Sequence, residues 1–385
     1  MNKPTNKNNF KSFGETSIKV IGVGGAGGHI ITRMAQKEGI KNVEYIAVNT
    51  DAQDLEYVSA RKKIYIGKTL TRGLGAGMNP ELGKQAAEEN RSEISEALQG
   101  ADIIFIVAGY GGGTGSLASG VVADIAREMG ALTIAVVTKP FSFEGAQRTR
   151  IAQEALAQIK NKVDTLVVIP NDRIFSVINK DTSLIKAFEF VDDILKNAVQ
   201  AITELILSPG LINLDFADIR AVMKDAGPAI IGIGLAAGAE RATNAVNLAI
   251  NSPLLEASID GAKGVLFSIS GGRDLKMSEI QIIAKSISDT VDPGAKIIFG
   301  AYYDRKVPAK SIKVTIIATG FSGGLGNLSL GGKPASLFVP FQNQNEERSD
   351  FFTPDSKKEK PTEEDKSKTE EKTEIPSFLR RKKHH

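Results

Sequence analysis

The sequence predicts an α/β fold: a Rossmann-like parallel sheet wrapped by helices, followed by a smaller α+β domain. Three observations carry that expectation. From Ser17 to about Pro170, apolar runs alternate with amphipathic segments, as strands and crossover helices do in a parallel sheet. Two of those runs end in glycine clusters that open helix-like segments. After Asn213 the texture changes to fewer, longer apolar runs between helical stretches.

Residues 1–16 are rich in Asn and Lys without an apolar stretch, which reads as a solvated arm and not as a signal peptide. The runs 18–23, 43–49, 103–108, 132–138 and 165–170 are expected strands, and 121–129 an expected helix. Residues 181–207 carry helical periodicity, with Phe188, Val191, Leu195, Val199, Ile202 and Ile206 at three- and four-residue steps. Strands are then expected at 264–270, 295–301 and 312–319, and helices at 241–250 and 278–289. From about Gly331 apolar content collapses, and the Lys/Glu/Thr-rich stretch that follows is expected to be a disordered linker. Ile375, Phe378 and Leu379 then recover the spacing of an amphipathic helix beside Arg380 and Arg381, with Pro376 tolerable in its first turn. The expected organisation is therefore an arm (1–16), an N-terminal domain with a core helix (17–207), a C-terminal domain (208–330), a linker (331–373) and a partner-binding tail (374–385).

Composition narrows the chemistry. The chain has 385 residues and no cysteine, so disulfides, thiolate metal sites and thiol catalysis are excluded. Of three histidines, His384 and His385 are terminal, which leaves His29 alone in the body; a histidine triad or multi-histidine metal site has no material. A net charge of +3 with mixed signs gives no argument for nucleic acid. The most apolar region, 229–239, is glycine-laced and well short of a membrane span. A cytoplasmic protein is expected.

The cluster Gly109-Tyr110-Gly111-Gly112-Gly113-Thr114-Gly115-Ser116 follows a buried-strand pattern directly. A strand, a glycine turn and a helix together aim bare N–H groups and a helix dipole at one point, which suits an anion. No Gly-Lys-Ser/Thr follows, so the turn is not a P-loop. The earlier cluster, Gly22-Val23-Gly24-Gly25-Ala26-Gly27-Gly28, satisfies the GxGxxG spacing in the strand-to-helix context of a dinucleotide site, and Asp51 stands where a ribose acid would. A nicotinamide dehydrogenase is the enzymatic alternative on these residues. Against it stand the second loop and a third, Gly73-Leu74-Gly75-Ala76-Gly77-Met78-Asn79-Pro80, since several loops at one sheet edge suit a triphosphate better than a single diphosphate.

These loops, with Asn49-Thr50-Asp51-Ala52-Gln53, Thr138-Lys139-Pro140-Phe141-Ser142-Phe143-Glu144-Gly145, Ile169-Pro170-Asn171-Asp172 and Asn213-Leu214-Asp215-Phe216-Ala217-Asp218, occur in the order and context of FtsZ. The chain resembles that family, the bacterial tubulin relatives of the division ring, from about Ile18 to Gly320 and again at the tail. The resemblance implies a tubulin/FtsZ-like GTPase domain that binds GTP or GDP with Mg²⁺. It also implies head-to-tail self-assembly at mid-cell and a tail that meets an FtsA-like membrane adaptor through Ile375, Phe378, Leu379 and Arg380. The loops at Gly24 to Gly28 and Gly109 to Gly115 would cradle the phosphates with Thr114 offering a hydroxyl, joined by Asn49, Asp51 and Gly77. Glu144 and Arg148, at helical spacing, would meet the ribose, and Asn171, Phe188 and Asp193 the guanine. Asn213, Asp215 and Asp218 would act on a neighbour's nucleotide, although Asn213 or Asp215 would equally suit a helix N-cap.

Four positions bear on the phosphate side. Ser116 keeps a hydroxyl where the family has threonine; Leu117 and Met78 stand where glycine is usual, and His29 where asparagine is. A polymer scaffold that holds GTP but hydrolyses it weakly is the alternative these changes raise.

Overall fold

In the computed structural model, residues 16–36, 42–179, 181–207, 215–252, 258–304 and 307–321 are described. The N-terminal part runs β1 (Ile18–Val23), α1 (Gly24–Gln36), β2 (Val43–Asn49), α2 (Ala52–Tyr57), β3 (Lys62–Tyr65), α3 (Lys68–Thr71), α4 (Pro80–Glu89), α5 (Arg91–Leu98), β4 (Ile103–Gly109), α6 (Gly113–Glu128), β5 (Leu132–Lys139), α7 (Ala146–Ile159), β6 (Thr165–Pro170) and α8 (Leu184–Leu207). There follow α9 (Phe216–Met223), β7 (Gly227–Ala237), α10 (Arg241–Ile250), β8 (Gly264–Gly271), α11 (Met277–Ser288), β9 (Lys296–Tyr303) and β10 (Ser311–Thr319). The ten strands form one sheet in the order β3-β2-β1-β4-β5-β6-β7-β10-β8-β9. Neighbours from β3 through β7 pair in parallel; β10 runs antiparallel to both β7 and β8.

Alternation along β1 and β4 explains why these runs are apolar throughout. Val20, Phe105 and Val107 enter one cluster with Ile30, Ile31 and Met34 of α1 and Leu195, Val199 and Ile202 of α8. Ile21, Val23, Ile104 and Ile106 enter a second with Ala86, Val121 and Leu156 from α4, α6 and α7. A parallel strand covered on both faces has no solvent side to leave polar. A third cluster joins β8 and β10 to α10 and α11. No described helix is long and apolar enough to cross a membrane.

Two strands escape the sequence reading. Lys62–Tyr65 is short, with Ile64 alone fully buried. Gly227–Ala237 is glycine-laced because α10 lies directly on it: a Cβ at Gly232 or Gly234 would meet the carbonyl oxygens of Ala249 and Ala245 at 2.1 and 2.0 Å. Helix α6 begins at Gly113 rather than near Val121, since its glycines let the first turn touch the sheet; a Cβ at Gly115 would sit 2.7 Å from the Gly109 carbonyl.

The same close approach seats α1. A Cβ at Gly27 would lie 2.6 Å from the Val107 carbonyl and 2.8 Å from the Gly22 carbonyl carbon. Gly27→Ala should therefore destabilise the protein by about 2–3 kcal/mol through overpacking against two strands. Denaturant unfolding measures it, and a loss below ~0.5 kcal/mol would mean that α1 shifts freely.

Candidate functional site

Strand order reverses between β1 and β4, with β2 on one side and β5 on the other. Open parallel sheets hold ligands at the carboxyl ends of their strands at such a switch point. Both glycine turns emerge there, and they touch. A Cβ at Gly24, whose φ is +75°, would lie 2.9 Å from the Gly115 amide nitrogen, and one at Gly109 would lie 2.6 Å from the Ala26 side chain. No side chain caps α6 at Gly112, so its first turn presents uncapped N–H groups. The turns floor a cavity of about 470 Å³.

Lining it are Gly24, Gly25, Ala26, Asn49, Asp51, Gly77, Gly109, Gly112, Gly113, Thr114, Gly115, Glu144, Arg148, Asn171 and Phe188. The cavity lining does not include Gly27, Gly28, Gly111 or Asp193. Gly27 and Gly28 serve packing, the latter against Val58 at 2.7 Å from a would-be Cβ. Gly111 donates its N–H to Ser116 Oγ at 3.0 Å.

The rim is wired by polar side chains. Asn49 Oδ1 accepts from the Thr50 N–H at 2.8 Å while its Nδ2 donates to Asp54 Oδ2 at 2.7 Å. Thr114 Oγ1 is already 2.7 Å from Thr50 Oγ1, tying the second glycine turn to the end of β2. Asp51 Oδ1 accepts from the Asp54 N–H at 3.0 Å and so caps α2. His29 Nε2 lies 3.7 Å from Asp54 Oδ1 on the exposed side of α1. Glu144 and Arg148 pair at 2.7 Å, yet not as one helical face. Glu144 belongs to a 3-10 turn at Ser142–Glu144, and Gly145, with φ +99°, breaks the chain before α7 begins.

At the other end, Asn171 is buried and its Oδ1 is the one buried side-chain polar atom without a hydrogen bond among the described residues. Phe188 packs edge-on to Phe141 at 5.4 Å between centroids. Its carboxylate neighbour in the cavity is Asp192, which the sequence reading missed. The signal was there: Asp192 is four residues from Phe188 and shares its helical row, whereas Asp193 is turned about 100° further round. Asp193 instead faces Arg33, at 3.9 Å. Arg33 also lies 3.5 Å from Asp192 Oδ2 and 3.8 Å from Glu189. Burial pushes the Asp192 carboxyl up to about 6, against the pull of Arg33 and His29 and with a small push from Asp193.

Asp215 and Asp218 line no part of this cavity. Asp215 caps α9, accepting from the Asp218 N–H at 2.8 Å, while Asp218 Oδ2 accepts from the Asp215 N–H at 3.4 Å. Helix α9 is held at the amino ends of the strands: Thr165 Oγ1, at the start of β6, donates to the Met223 carbonyl at 2.5 Å, and Arg220 donates to the Gly130 carbonyl before β5. Asn213 lies outside the described residues.

A parallel sheet with nucleotide-sized room over paired glycine turns defines a nucleotide-binding α/β domain. Residues 17–179 match the Tubulin/FtsZ family GTPase domain, and residues 227–322 match the FtsZ family C-terminal domain. An empty FtsZ dimer structure from M. jannaschii shares 44% identity, covering 85% of this chain and 96% of that one at a TM-score of 0.77. A substituted form of M. jannaschii FtsZ shares 47% identity over 80% of this chain and 92% of that one, at 0.76. GDP-bound CetZ1 from Haloferax volcanii, 23% identical over 80% and 95% of the two chains, shares the fold at 0.68. The chain belongs to the FtsZ family and is a tubulin-like GTPase.

Asp192 makes the empty protein pH-sensitive in a defined direction. A carboxyl raised from 3.8 to about 6 on folding contributes stability that is full below the unfolded value and lost as pH rises through about 6. Asp192→Asn should therefore gain stability relative to wild type between pH 4 and pH 7 as wild type loses it, in nucleotide-free unfolding experiments at each pH. A difference that does not change across that window would show that Asp192 titrates normally.

Proposed function

We propose that this protein is a GTP-dependent, self-assembling cytoskeletal GTPase of the cell-division ring whose hydrolytic site is completed between adjacent subunits. The observation that carries this reading is the placement of two half-sites at opposite edges of one sheet. The cavity opens at the carboxyl ends of β1, β2, β4 and β5, while α9 with Asp215 and Asp218 lies by the amino ends of β5 and β6. A strand of six residues, such as β6, spans ~20 Å, so a protomer's α9 does not reach its own nucleotide. Stacking protomers head to tail brings α9 of one to the cavity of the next.

Within the cavity the uncapped N–H groups of α6 and the turn at Gly24 hold the phosphates. Asn171 Oδ1, Asp192 and Phe188 suit the base: two acceptors meet the amine and ring N–H of guanine, and the ring packs against its face. Adenine lacks that donor pair. Asp192, rather than its neighbour Asp193, takes that role on geometric grounds, and Glu144 with Arg148 faces the sugar. Four carboxylates, Asp51, Asp54, Glu144 and Asp192, line the cavity beside Arg148. That balance favours a nucleotide carrying Mg²⁺, which neutralises charge on phosphate oxygens. From the neighbouring protomer, Asp215 and Asp218 polarise the attacking water, and Asn213 orients it.

The GTP-binding domain spans residues 17–207 and the C-terminal domain 208–330, and the strands of both share one sheet. The linker (331–373) and the tail residues Ile375, Phe378, Leu379 and Arg380 lie outside the described residues. On sequence grounds the tail binds an FtsA-like adaptor that places the protein at the mid-cell membrane from the cytoplasm. Deleting residues 374–385 should abolish capture by such an adaptor while GTP-driven assembly persists; unchanged capture would refute the tail assignment.

Sedimentation with GTP, GDP or no nucleotide, and phosphate release from the same samples, tests the central reading. Asp218→Ala should bind GTP within about twofold of wild type and lose at least tenfold in phosphate release, a typical cost for removing a group that acts in the transition state. Mixed with wild type, it should depress turnover more than dilution does. Wild-type turnover by the variant at matched polymer mass would overturn the divided site.

A further inference from the structure

The phenol of Tyr110 is buried beside the second glycine turn. Tyr110 follows β4 directly, is 4% exposed and borders the cavity. Its hydroxyl lies 3.0 Å from Ser119 Oγ on α6, and burial holds the phenol well above its ordinary range, so it stays a proton donor. Ser119 Oγ donates onward to the Ser116 carbonyl at 3.4 Å. Ser116 Oγ then accepts the Gly111 N–H at 3.0 Å and donates to the Gly112 carbonyl at 2.6 Å. Two sets of bonds thus meet at Ser116, one on its carbonyl and one on its hydroxyl: the residue that enters the turn and the turn's own backbone are both fastened to the first two turns of α6.

Two consequences follow from that arrangement. The Gly111 N–H and the Gly112 carbonyl are engaged by Ser116, so neither is directed at an anion, and the carbonyl dipole is kept from the phosphates. The turn is also set against the segment beyond β5. Gly111 has φ +100°, and a Cβ there would lie 3.0 Å from the Arg148 carbonyl, so shifting this turn disturbs the helix that carries Arg148. Serines in helices often bond back to their own helix without further effect. Ser116 does more, because its oxygen also reaches a loop N–H outside the helix.

We propose that Tyr110, Ser119 and Ser116 are positioning residues for phosphate recognition, their hydrogen bonds to one another and to the turn's backbone holding the glycine turn in the shape that presents the first-turn N–H groups of α6 to the nucleotide. This rests on the cavity being the GTP site. This network acts on the phosphates and not on the base, so its loss should be read in the preference among GMP, GDP and GTP.

The test uses the full chain below its assembly concentration for binding, and assembled protein for kinetics. Ser116→Ala, which loses two hydrogen bonds, should lower the GTP-over-GMP affinity ratio about tenfold, and Tyr110→Phe, which loses one, and Ser119→Ala about threefold each, while GMP affinity stays within about twofold. KM for GTP should rise in step while kcat at saturation holds, and Ser116→Thr should keep the wild-type ratio. Tyr110→Phe preserves the ring, so it decides the matter if Ser116→Ala fails to fold. An unchanged ratio with lowered thermal stability, or equal losses of GMP and GTP affinity, would overturn the proposal and reduce the network to packing. A wild-type protein with no preference for GTP over GMP would overturn the nucleotide reading itself, and this proposal with it.

Discussion

Contact between two glycine turns is the constraint on which the rest of this molecule depends. Gly24 and Gly115 approach so closely that a single Cβ on Gly24 would collide with the Gly115 amide nitrogen at 2.9 Å. Because both turns cap neighbouring parallel strands, that contact merges two helix starts into one floor of N–H groups. Helices α1 and α6 must then lie tight on the sheet, which is why Gly22 and Gly27 on one side and Gly109 and Gly115 on the other have no room for side chains. The apolar clusters on the two faces of the sheet hold those helices in place. Core and site are thus one problem solved once.

The floor is built of backbone, and the walls carry the polar side chains. Asn171 Oδ1 is buried without a partner among the described residues, and burial raises the Asp192 carboxyl despite its pairing with Arg33; both cost stability in the empty protein. Arg33 moderates this cost without removing it, since burial still dominates the Asp192 carboxyl. The C-terminal part contributes differently. Its strands extend the same sheet, and hydroxyls of Thr165 and Thr319 fasten the end of α9 through the Met223 and Val222 carbonyls. A capping box at its other end fixes Asp215 and Asp218 relative to each other. The helix proposed to act on a neighbour is therefore presented on a rigid mount.

Three departures at the phosphate side take on distinct meanings in the fold. Leu117 is buried in the cluster behind α6 and so turns away from the cavity. Met78 keeps a left-handed backbone, φ +53°, in a turn where Gly77 also has positive φ, a conformation in which a non-glycine residue is strained. His29 is exposed and near Asp54 rather than inside the cavity. None of them lines the cavity.

By itself the sequence determined the α/β class, the parallel strands from β1 to β6 save the short β3, the long α8 and the two glycine turns, because these depend on local periodicity and on backbone freedom that only glycine has. It also named Glu144, Arg148, Asn171 and Phe188, through the order of motifs shared with the FtsZ family, and all four line the cavity. What it left open were matters of distance and direction. Only tertiary structure decided that Asp192 and not Asp193 enters the cavity, since a step of one residue on α8 rotates a side chain by about 100°. Only it separated the glycines that line the cavity from Gly27 and Gly28, which face packed strands and Val58, and Gly111, whose N–H is held by Ser116. And only it put Asp215 and Asp218 at the far edge of the sheet, because which ends of the strands a helix meets is set by how the chain crosses the sheet, a relation between residues far apart that no local pattern records.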